Sequence, residues 1–573
     1  MKVLAKLLDF RTAVLLPVML FVGGLAMVPP FYLLWSSFKP ISLGNISDFS
    51  LSNFTLQNYI YAFSDPILFT TLFHSFLFAG GSMTVALIFG GVIAFLVERT
   101  NVPLRNVTYG LMLIPLIMPS MLKAIGWILL MNPNNGILNN LWFAMGFEEP
   151  LFNAYSIPAM YWVEGLSMSP LTFLLMGAAL RGMDPSLEEA ALTSGAGKFL
   201  TFFKVTFKLM TPAIAGVGLL QFIRGLEAFE VPLVMGMANG IHVFSTNIYV
   251  SVKEISPPEY GFGFVLSLVL TVFAAIGLVV YQKAIAKSGR YATVTGKGFR
   301  PRIIDLGKWR ALAGGFIIFF IFVSMILPFL VLLWASLLPF YQPPSMAAAA
   351  HMSLKNYEEL FSQDLFYQSV KNTMILATTV SIGGMLLATL VSWIVIRLKP
   401  HGGTLLDTLA FLPYAVPGIA MGYSFMIFFL AFPNPIYGTL WLLILAYLVN
   451  FLPIATRFTH AGITQIRAEL EEAATTSGAG LVTVIRRIIL PLILPSLLAG
   501  GLYIFILSIK VLSMAAILWQ PDSIILPVYL MQVWGNGTIP QVGALSVVMI
   551  VIITVLTITA RILGQRRSFV QEH

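Results

Sequence analysis

Between Thr12 and Ser36 no residue carries a charge, and apolar runs of that kind recur along the whole chain. A bilayer accommodates one such run as a helix of about 20 residues, whereas a water-soluble core has no room for so many. Composition agrees: 58% of residues are hydrophobic and 10% charged, against about 25% charged in soluble domains. In lipid, every backbone N–H and C=O must find a partner within the protein, so the runs are expected to be helices.

Twelve spans are expected, at roughly 12–36, 67–97, 106–130, 157–180, 210–235, 260–282, 311–336, 366–396, 405–430, 437–456, 492–517 and 540–563. The first follows Lys2, Lys6 and Arg11 and is too long for a signal-peptide core, so it reads as an uncleaved helix entering from the cytoplasm. The loop around Glu148 and Glu149 has no Lys or Arg and suits the outer side. The densest basic stretch, from Lys283 to Arg310, suits the inner side, as does the tail with Arg566 and Arg567. Both termini are therefore expected in the cytoplasm. The net charge of +9 is accounted for by inner loops and not by nucleic-acid binding, which leaves lipid as the surrounding partner.

The chain repeats itself. Glu188-Glu189-Ala190-Ala191-Leu192-Thr193-Ser194-Gly195-Ala196-Gly197 returns as Glu471-Glu472-Ala473-Ala474-Thr475-Thr476-Ser477-Gly478-Ala479-Gly480, 283 residues on, with one position changed. Asn58-Tyr59 returns as Asn356-Tyr357, and Pro115 and Pro119 return as Pro413 and Pro417, at an offset of 298. The offset shrinks by 15, which places an insertion in the first half between Trp142 and Ser156. The expected fold is an all-α integral membrane protein of two tandem six-helix halves. Residues 1–285 and 311–573 form the halves, 286–310 a basic cytoplasmic linker, and a pseudo-twofold axis along the membrane normal relates them.

Each ten-residue copy is a polar island between apolar runs. Asp184-Pro185-Ser186 and the two glutamates suit a helix start. Ala190 and Ala191 are small enough for close approach by another surface, and Gly195 and Gly197 turn the chain back. A short inner-side helix, repeated by symmetry, reads as a docking handle. The second copy continues through Ile488, Leu490 and Pro491, so it carries Glu-Ala-Ala, Gly, Ile and Leu-Pro at the spacing found in binding-protein-dependent ABC importer permeases, and the chain resembles that family. The first copy matches at Glu189, Ala190, Ala191 and Gly195 but has Val205, Phe207 and Lys208 in place of Ile, Leu and Pro, which leaves its return into the membrane open.

The resemblance implies that Glu189, Ala190, Ala191, Gly195, Glu472, Ala473, Ala474 and Gly478 couple the chain to a motor. It implies two copies of a nucleotide-binding ATPase subunit as partners, ATP and Mg held there, a periplasmic solute-binding protein, and a bacterial inner-membrane location. The residues agree that the motor is separate. Gly296-Lys297 and Gly197-Lys198 both fail the phosphate-loop pattern, with Tyr291 and Leu192 where its first glycine belongs. The absence of cysteine excludes thiolate chemistry, and the six histidines show no metal-ligand spacing. The chain itself is expected to be no enzyme and to bind no metal or cofactor.

Ionisable groups inside spans are costly and usually functional. Arg224, Glu227 and Glu230 are expected along one side of the fifth helix. Lys510 stands at the position equivalent to Glu227, so the two either pair across the halves or find partners within their own. Lys123 is a further candidate for the translocation path. The stretches Leu226–Gly236 and Leu412–Gly418, with Trp534-Gly535-Asn536-Gly537, resemble fused permeases for ferric iron. Phosphonates, sugar phosphates, polyamines and thiamine are alternative substrates within the same group. A secondary transporter with no ATPase is the alternative from a different class.

Overall fold

The computed structural model describes residues 10–40, 53–183, 186–288, 303–398, 401–432 and 434–570. Lys2 and Lys6, the expected cap Asp184-Pro185, and Arg290, Lys297, Arg300 and Arg302 of the basic stretch lie outside the described residues. The described residues contain no strand, only an isolated bridge between Thr100 and Ile304.

Nine described helices are long and apolar enough to cross a membrane, and three bent pairs bring the number to twelve if each pair is one span. In the first half these are α1 (Phe10–Ser37), α2 (Pro66–Arg99), α3 (Arg105–Leu116 bent into Ser120–Met131), α4 (Ile157–Arg181), the short polar α5 (Ser186–Thr193), α6 (Phe202–Glu227) and α7 (Tyr260–Ser288). In the second half they are α8 (Gly307–Ser336), α9 (Asp364–Leu398), α10 (Gly403–Ala415 bent into Gly418–Ala431), α11 (Leu440–Thr464), the short polar α12 (Glu469–Thr476), α13 (Ile485–Leu492 bent into Leu494–Lys510) and α14 (Ile539–Val570).

Prolines account for the bends. The spans expected as straight at 106–130 and 405–430 turn by 88° and 106° at Pro119 and Pro417, both extended. A proline removes the N–H that would continue the helix and clashes with the carbonyl one turn back. In α13, Pro491 and Pro495 stand four residues apart and the span bends by 69°. The first half has Lys208 in place of Pro491, and α6 stays a single span through Pro212. The question left open at that motif position therefore has a geometric answer: the first return is the straighter one.

Two further expectations need correction. The spans at 210–235 and 492–517 end early, at Glu227 and Lys510, because Ala228 and Val511 are extended. Pro232 has no N–H for the Ala228 carbonyl, which accepts instead from the Ser245 hydroxyl at 2.6 Å. The equivalent Val511 carbonyl accepts from the Tyr447 hydroxyl, also at 2.6 Å. Glu230 lies past the break, so it does not continue a helical stripe through Arg224 and Glu227.

The repeated Asn-Tyr pair proves to be a latch. Asn58 Nδ2 donates to the carbonyls of Ser37 and Lys39 at the end of α1, at 2.8 and 2.7 Å. Asn356 Nδ2 donates to those of Ser336 and Leu338 at the end of α8, both at 2.8 Å. Tyr59 and Tyr357 each share a 2.7 Å hydrogen bond with the serine, Ser37 or Ser336. A helix leaves its last carbonyls without intrahelical partners, and this side chain supplies them. Asn356→Ala strips both bonds from a buried site and should cost about 1–3 kcal/mol per orphaned carbonyl. A lowered apparent Tm of the purified protein checks it; an unchanged Tm would mean water serves those groups equally well.

The first helix of each half reaches across to the other half. α1 packs on α10 of the second half, and α8 packs on α3 of the first as well as on α14 of its own half. Gly126 permits the second contact, since a Cβ there would meet Pro328 at 2.7 Å. Tyr341 donates to the Leu129 carbonyl at 2.8 Å, and Tyr423 of α10 donates to that of Tyr260 at the start of α7, at 2.9 Å. The chain returning towards α8 is also tied to the first half. Ile304 N–H donates to the Arg99 carbonyl at 2.7 Å, and Asn101 Nδ2 donates to the Asp305 carboxylate at 2.6 Å.

Candidate functional site

The two polar islands fold alike, residue for residue. α5 and α12 are eight-residue helices at matching positions. Both end on a glycine with a φ of +86°, Gly195 and Gly478, a left-handed conformation that costs an ordinary side chain about 1–2 kcal/mol. The closing hydrogen bonds match as well. The N–H of Gly195 and of Gly478 donates to the carbonyls of Leu192 and Thr475, and the N–H of Ala196 and of Ala479 to those of Ala191 and Ala474, all at 3.0 Å. Gly197 and Gly480 keep ordinary negative φ values, so one glycine, not two, makes each turn.

Glu189 and Glu472 are exposed, as are Ala190 and Ala473, while Ala191 and Ala474 are half-buried. Each handle thus presents a carboxylate beside a small residue, with no bulk over them. The preceding glutamates face the other way. Glu188 is buried, accepts from the Thr206 hydroxyl at 2.7 Å and lies 3.6 Å from the Arg99 guanidinium. Glu471 takes 2.7 Å from Arg397 Nε and 3.1 Å from the Trp393 indole N–H. Arg99 and Arg397 are themselves equivalent, at the ends of α2 and α9. This duplicated Arg–Glu contact was missed in the sequence, although both repeat offsets pointed to it.

The same three elements are joined in both halves, by different bonds. In the second half Arg397 also donates to the Ile463 and Ile466 carbonyls at the end of α11, at 3.1 and 2.6 Å. In the first, Glu98 takes the corresponding part, meeting Arg181 at the end of α4 at 2.6 Å and accepting from Tyr109. Ile396 and Thr464 occupy the Glu98 and Arg181 positions in the second half. Among the described residues, the buried Arg99 guanidinium has no hydrogen-bond partner on any of its three nitrogens.

Deeper in, six ionisable side chains gather where the spans break. Lys123 and Glu164 are only 2% and 8% exposed, and neither forms a hydrogen bond or close ion pair among the described residues. Lys123 is within electrostatic reach of Lys510 and Glu164, and Glu164 of Glu230 and Arg224. Arg224 also acts on Glu227 and Lys510. Three acids and three bases balance. Glu227 and Lys510 do not pair in this structure. Lys510 Nζ donates to the Leu116 carbonyl at the bend of α3, at 2.7 Å, and Glu230 accepts from Leu512 N–H at 3.1 Å. Both bonds cross from one half to the other.

The cluster is lopsided. Met421, Tyr447, Leu507 and Ser513 stand in the second half where the first has Lys123, Glu164, Arg224 and Glu230. Tyr447 is committed to the Val511 carbonyl. Its counterpart Glu164 has no such duty, because Ser245 serves the equivalent Ala228 carbonyl. A buried carboxylate without a structural task is costly to keep. Glu164 and Arg224 therefore join the expected Lys123, Glu227, Glu230 and Lys510 as candidate path residues. Glu164 had escaped notice because one charge barely alters the hydropathy of a whole span.

Residues 84–287 and 381–569 each match the family model described as "Binding-protein-dependent transport system inner membrane component". The chain is 27% identical over 477 residues to the ferric transport system permease protein FbpB of Actinobacillus pleuropneumoniae, covering 82% of this chain and 67% of that one. It is 27% identical over 453 residues to the putative ferric transport system permease protein FbpB 1 of Haemophilus influenzae, covering 78% and 69%. It is also 26% identical over 212 residues to the spermidine/putrescine transport system permease protein PotC of Haemophilus influenzae, covering 37% of this chain and 82% of that protein.

Proposed function

We infer the mechanism from one premise: the chain belongs to the family of binding-protein-dependent transport system inner membrane components, and is an ABC importer permease of the fused two-half type. In this reading a separate chain hydrolyses ATP, with Mg held there, and two copies of it seat α5 and α12. Glu189 and Glu472 make the polar contacts, and Ala190, Ala191, Ala473 and Ala474 allow close approach. Gly195 and Gly478 fix the angle at which each handle leaves its partner. A periplasmic binding protein delivers the solute to the opposite face.

The observation that carries this reading is that the two handles share one geometry, and the path of the chain between them supports one side of the bilayer for both. Ile304 is bonded to Arg99, beside the first handle. From there α8 and α9, each unbroken and long enough to cross, take the chain out and back to Arg397, beside the second. Counting each bent pair as one span then gives twelve, in halves 1–285 and 311–573 about an axis along the membrane normal. The linker 286–310 and both termini lie in the cytoplasm.

The transit path runs through Lys123, Glu164, Arg224, Glu227, Glu230 and Lys510, at the junction of the halves. Ferric iron is the proposed cargo, supported by the names of the two FbpB relatives and by the three carboxylates, whose hard oxygens suit a hard cation. The test is to reconstitute the permease with its ATPase and present a panel of binding proteins loaded with ferric iron, polyamine or sugar phosphate. Ferric-loaded protein should stimulate ATP hydrolysis and the others should not. Stimulation by polyamine alone would overturn the iron assignment.

A further inference from the structure

We propose that Arg99 with Glu188, and Arg397 with Glu471, are struts that make each handle move as one body with the second and fourth spans of its own half. Resting on the coupling role above, this assigns a positioning function to four residues that touch neither the motor nor the cargo.

Three observations carry it. A helix of eight residues is too short to hold itself rigid, so the direction in which it transmits a pull depends on what clamps it. Each handle turns one glutamate outward and its neighbour inward, and the inward one meets an arginine at the end of the second span. Further bonds tie that same span end to the end of the fourth span, through Arg397 to the Ile463 and Ile466 carbonyls or through Glu98 to Arg181. The second and fourth spans also make the most extensive helix–helix contacts in each half, α2 with α4 and α9 with α11. A displacement imposed on the handle is therefore delivered to a packed pair of spans rather than absorbed by a loop.

The struts are unequal. Arg397 satisfies Glu471 and two carbonyls at once, which fixes its guanidinium in one place. Arg99 lies 3.6 Å from Glu188, and among the described residues all three of its nitrogens lack hydrogen bonds, so charge is what holds it there. A buried charge left so poorly served is expensive, and a small shift of the handle is enough to exchange its partner. The second strut is the stiff one, and the first is the one with slack. The two nucleotide-driven pulls thus arrive at the transit path with different strengths, on a molecule whose path charges come mostly from the first half.

The experiment uses the full permease assembled with its ATPase in liposomes and reads three quantities: ATPase retained, ATP hydrolysed, and solute moved per ATP. Couplings between sites commonly span about 5–150-fold, and Arg397→Ala should lower solute per ATP about tenfold with the ATPase still bound and hydrolysing. Arg99→Ala should lower it by less, about threefold. Arg397→Lys, which keeps the charge and can still donate to Glu471 or to a carbonyl, should recover part of the loss. An Arg397→Ala protein with unchanged solute per ATP would overturn the proposal, as would an Arg397→Lys protein no better than Arg397→Ala. If wild-type protein retains no ATPase, the coupling reading itself fails, which is a different outcome.

A second readout needs no destabilising change. The chain has no cysteine, so spin labels can be placed through Thr475→Cys on the handle and Leu386→Cys on the lipid-facing side of α9, both exposed. Their separation should stay fixed between nucleotide-free and nucleotide-trapped complexes if handle and span move together. A shift between the two states would show the handle swinging free and overturn the strut.

Discussion

Glu472→Lys is expected to abolish solute-stimulated ATP hydrolysis and lower transport by about a hundredfold or more, with the protein still inserted and folded. Glu472 is exposed and makes no hydrogen bond through its carboxylate among the described residues, so its loss removes nothing from the fold. It does sit in the first turn of α12, where a cation opposes the helix dipole at a cost of only about 0.3–1 kcal/mol at an exposed site. At the proposed interface the cost is of another order. A carboxylate on a docking helix selects a groove with basic or donor groups, and like charges brought together there cost several kcal/mol, which is about a hundredfold or more. The pair of measurements is ATP hydrolysis with and without loaded binding protein, alongside size-exclusion behaviour of the permease alone. Wild-type stimulation in a well-folded Glu472→Lys protein would remove the handle from the coupling role.

Glu164→Lys is expected to stop transport and leave the handles working. Glu164 is 92% withdrawn from solvent and lies within electrostatic reach of Lys123, which in turn feels Lys510. Reversing its charge leaves two acids against four bases in the cluster. An uncompensated charge at the centre of a span costs about 2.5–3.5 kcal/mol even on a lenient insertion scale, and an excess of two bases in the cluster should lower transport about a hundredfold. Glu164→Gln keeps the shape and removes only the charge, so its effect should fall between lysine and wild type. Basal ATP hydrolysis should persist in both, because α5 and α12 are anchored through Arg99 and Arg397 and not through Glu164. Normal uptake by Glu164→Lys would place the path elsewhere.

Much of the architecture was legible because it repeats. Apolar runs of span length mark nearly every helix, and two fixed offsets align the Asn-Tyr latches, the bending prolines and the handles from the sequence alone. What escaped notice depends on contacts distant in sequence. Ala228 looks like an ordinary helix residue, and the break there rests on Pro232 and on a hydroxyl from Ser245. Glu227 and Lys510 are equivalent in the repeat, which suggested a pair, but equivalence under an axis does not bring two side chains together. Lys510 instead serves the carbonyl freed by the bend at Pro119. The reach of α1 and α8 across to the other half leaves no mark on hydropathy, since lipid-facing and helix-facing leucines look alike. The Arg–Glu struts were within reach: applying 298 to Arg99 and 283 to Glu188 yields Arg397 and Glu471.

Lopsidedness in the interior against symmetry at the handles is the feature that organises the molecule. If two copies of one motor seat α5 and α12, as proposed, the two handles must stay alike, and their closing hydrogen bonds match. The proposed path need not be symmetric, because one cargo passes at a time, and there five of the six charges come from the first half. Duplicated anchors and an undivided path fit the proposed machine, driven by two equal subunits and carrying one solute.

The most direct test uses the natural absence of cysteine. Ala190→Cys and Ala473→Cys place single thiols on the exposed faces of the two handles. In inside-out vesicles a membrane-impermeant maleimide should label both, in right-side-out vesicles neither, and prior assembly with the ATPase should protect both. Labelling of the two positions from opposite sides of the membrane, or full labelling in the assembled complex, would contradict the account.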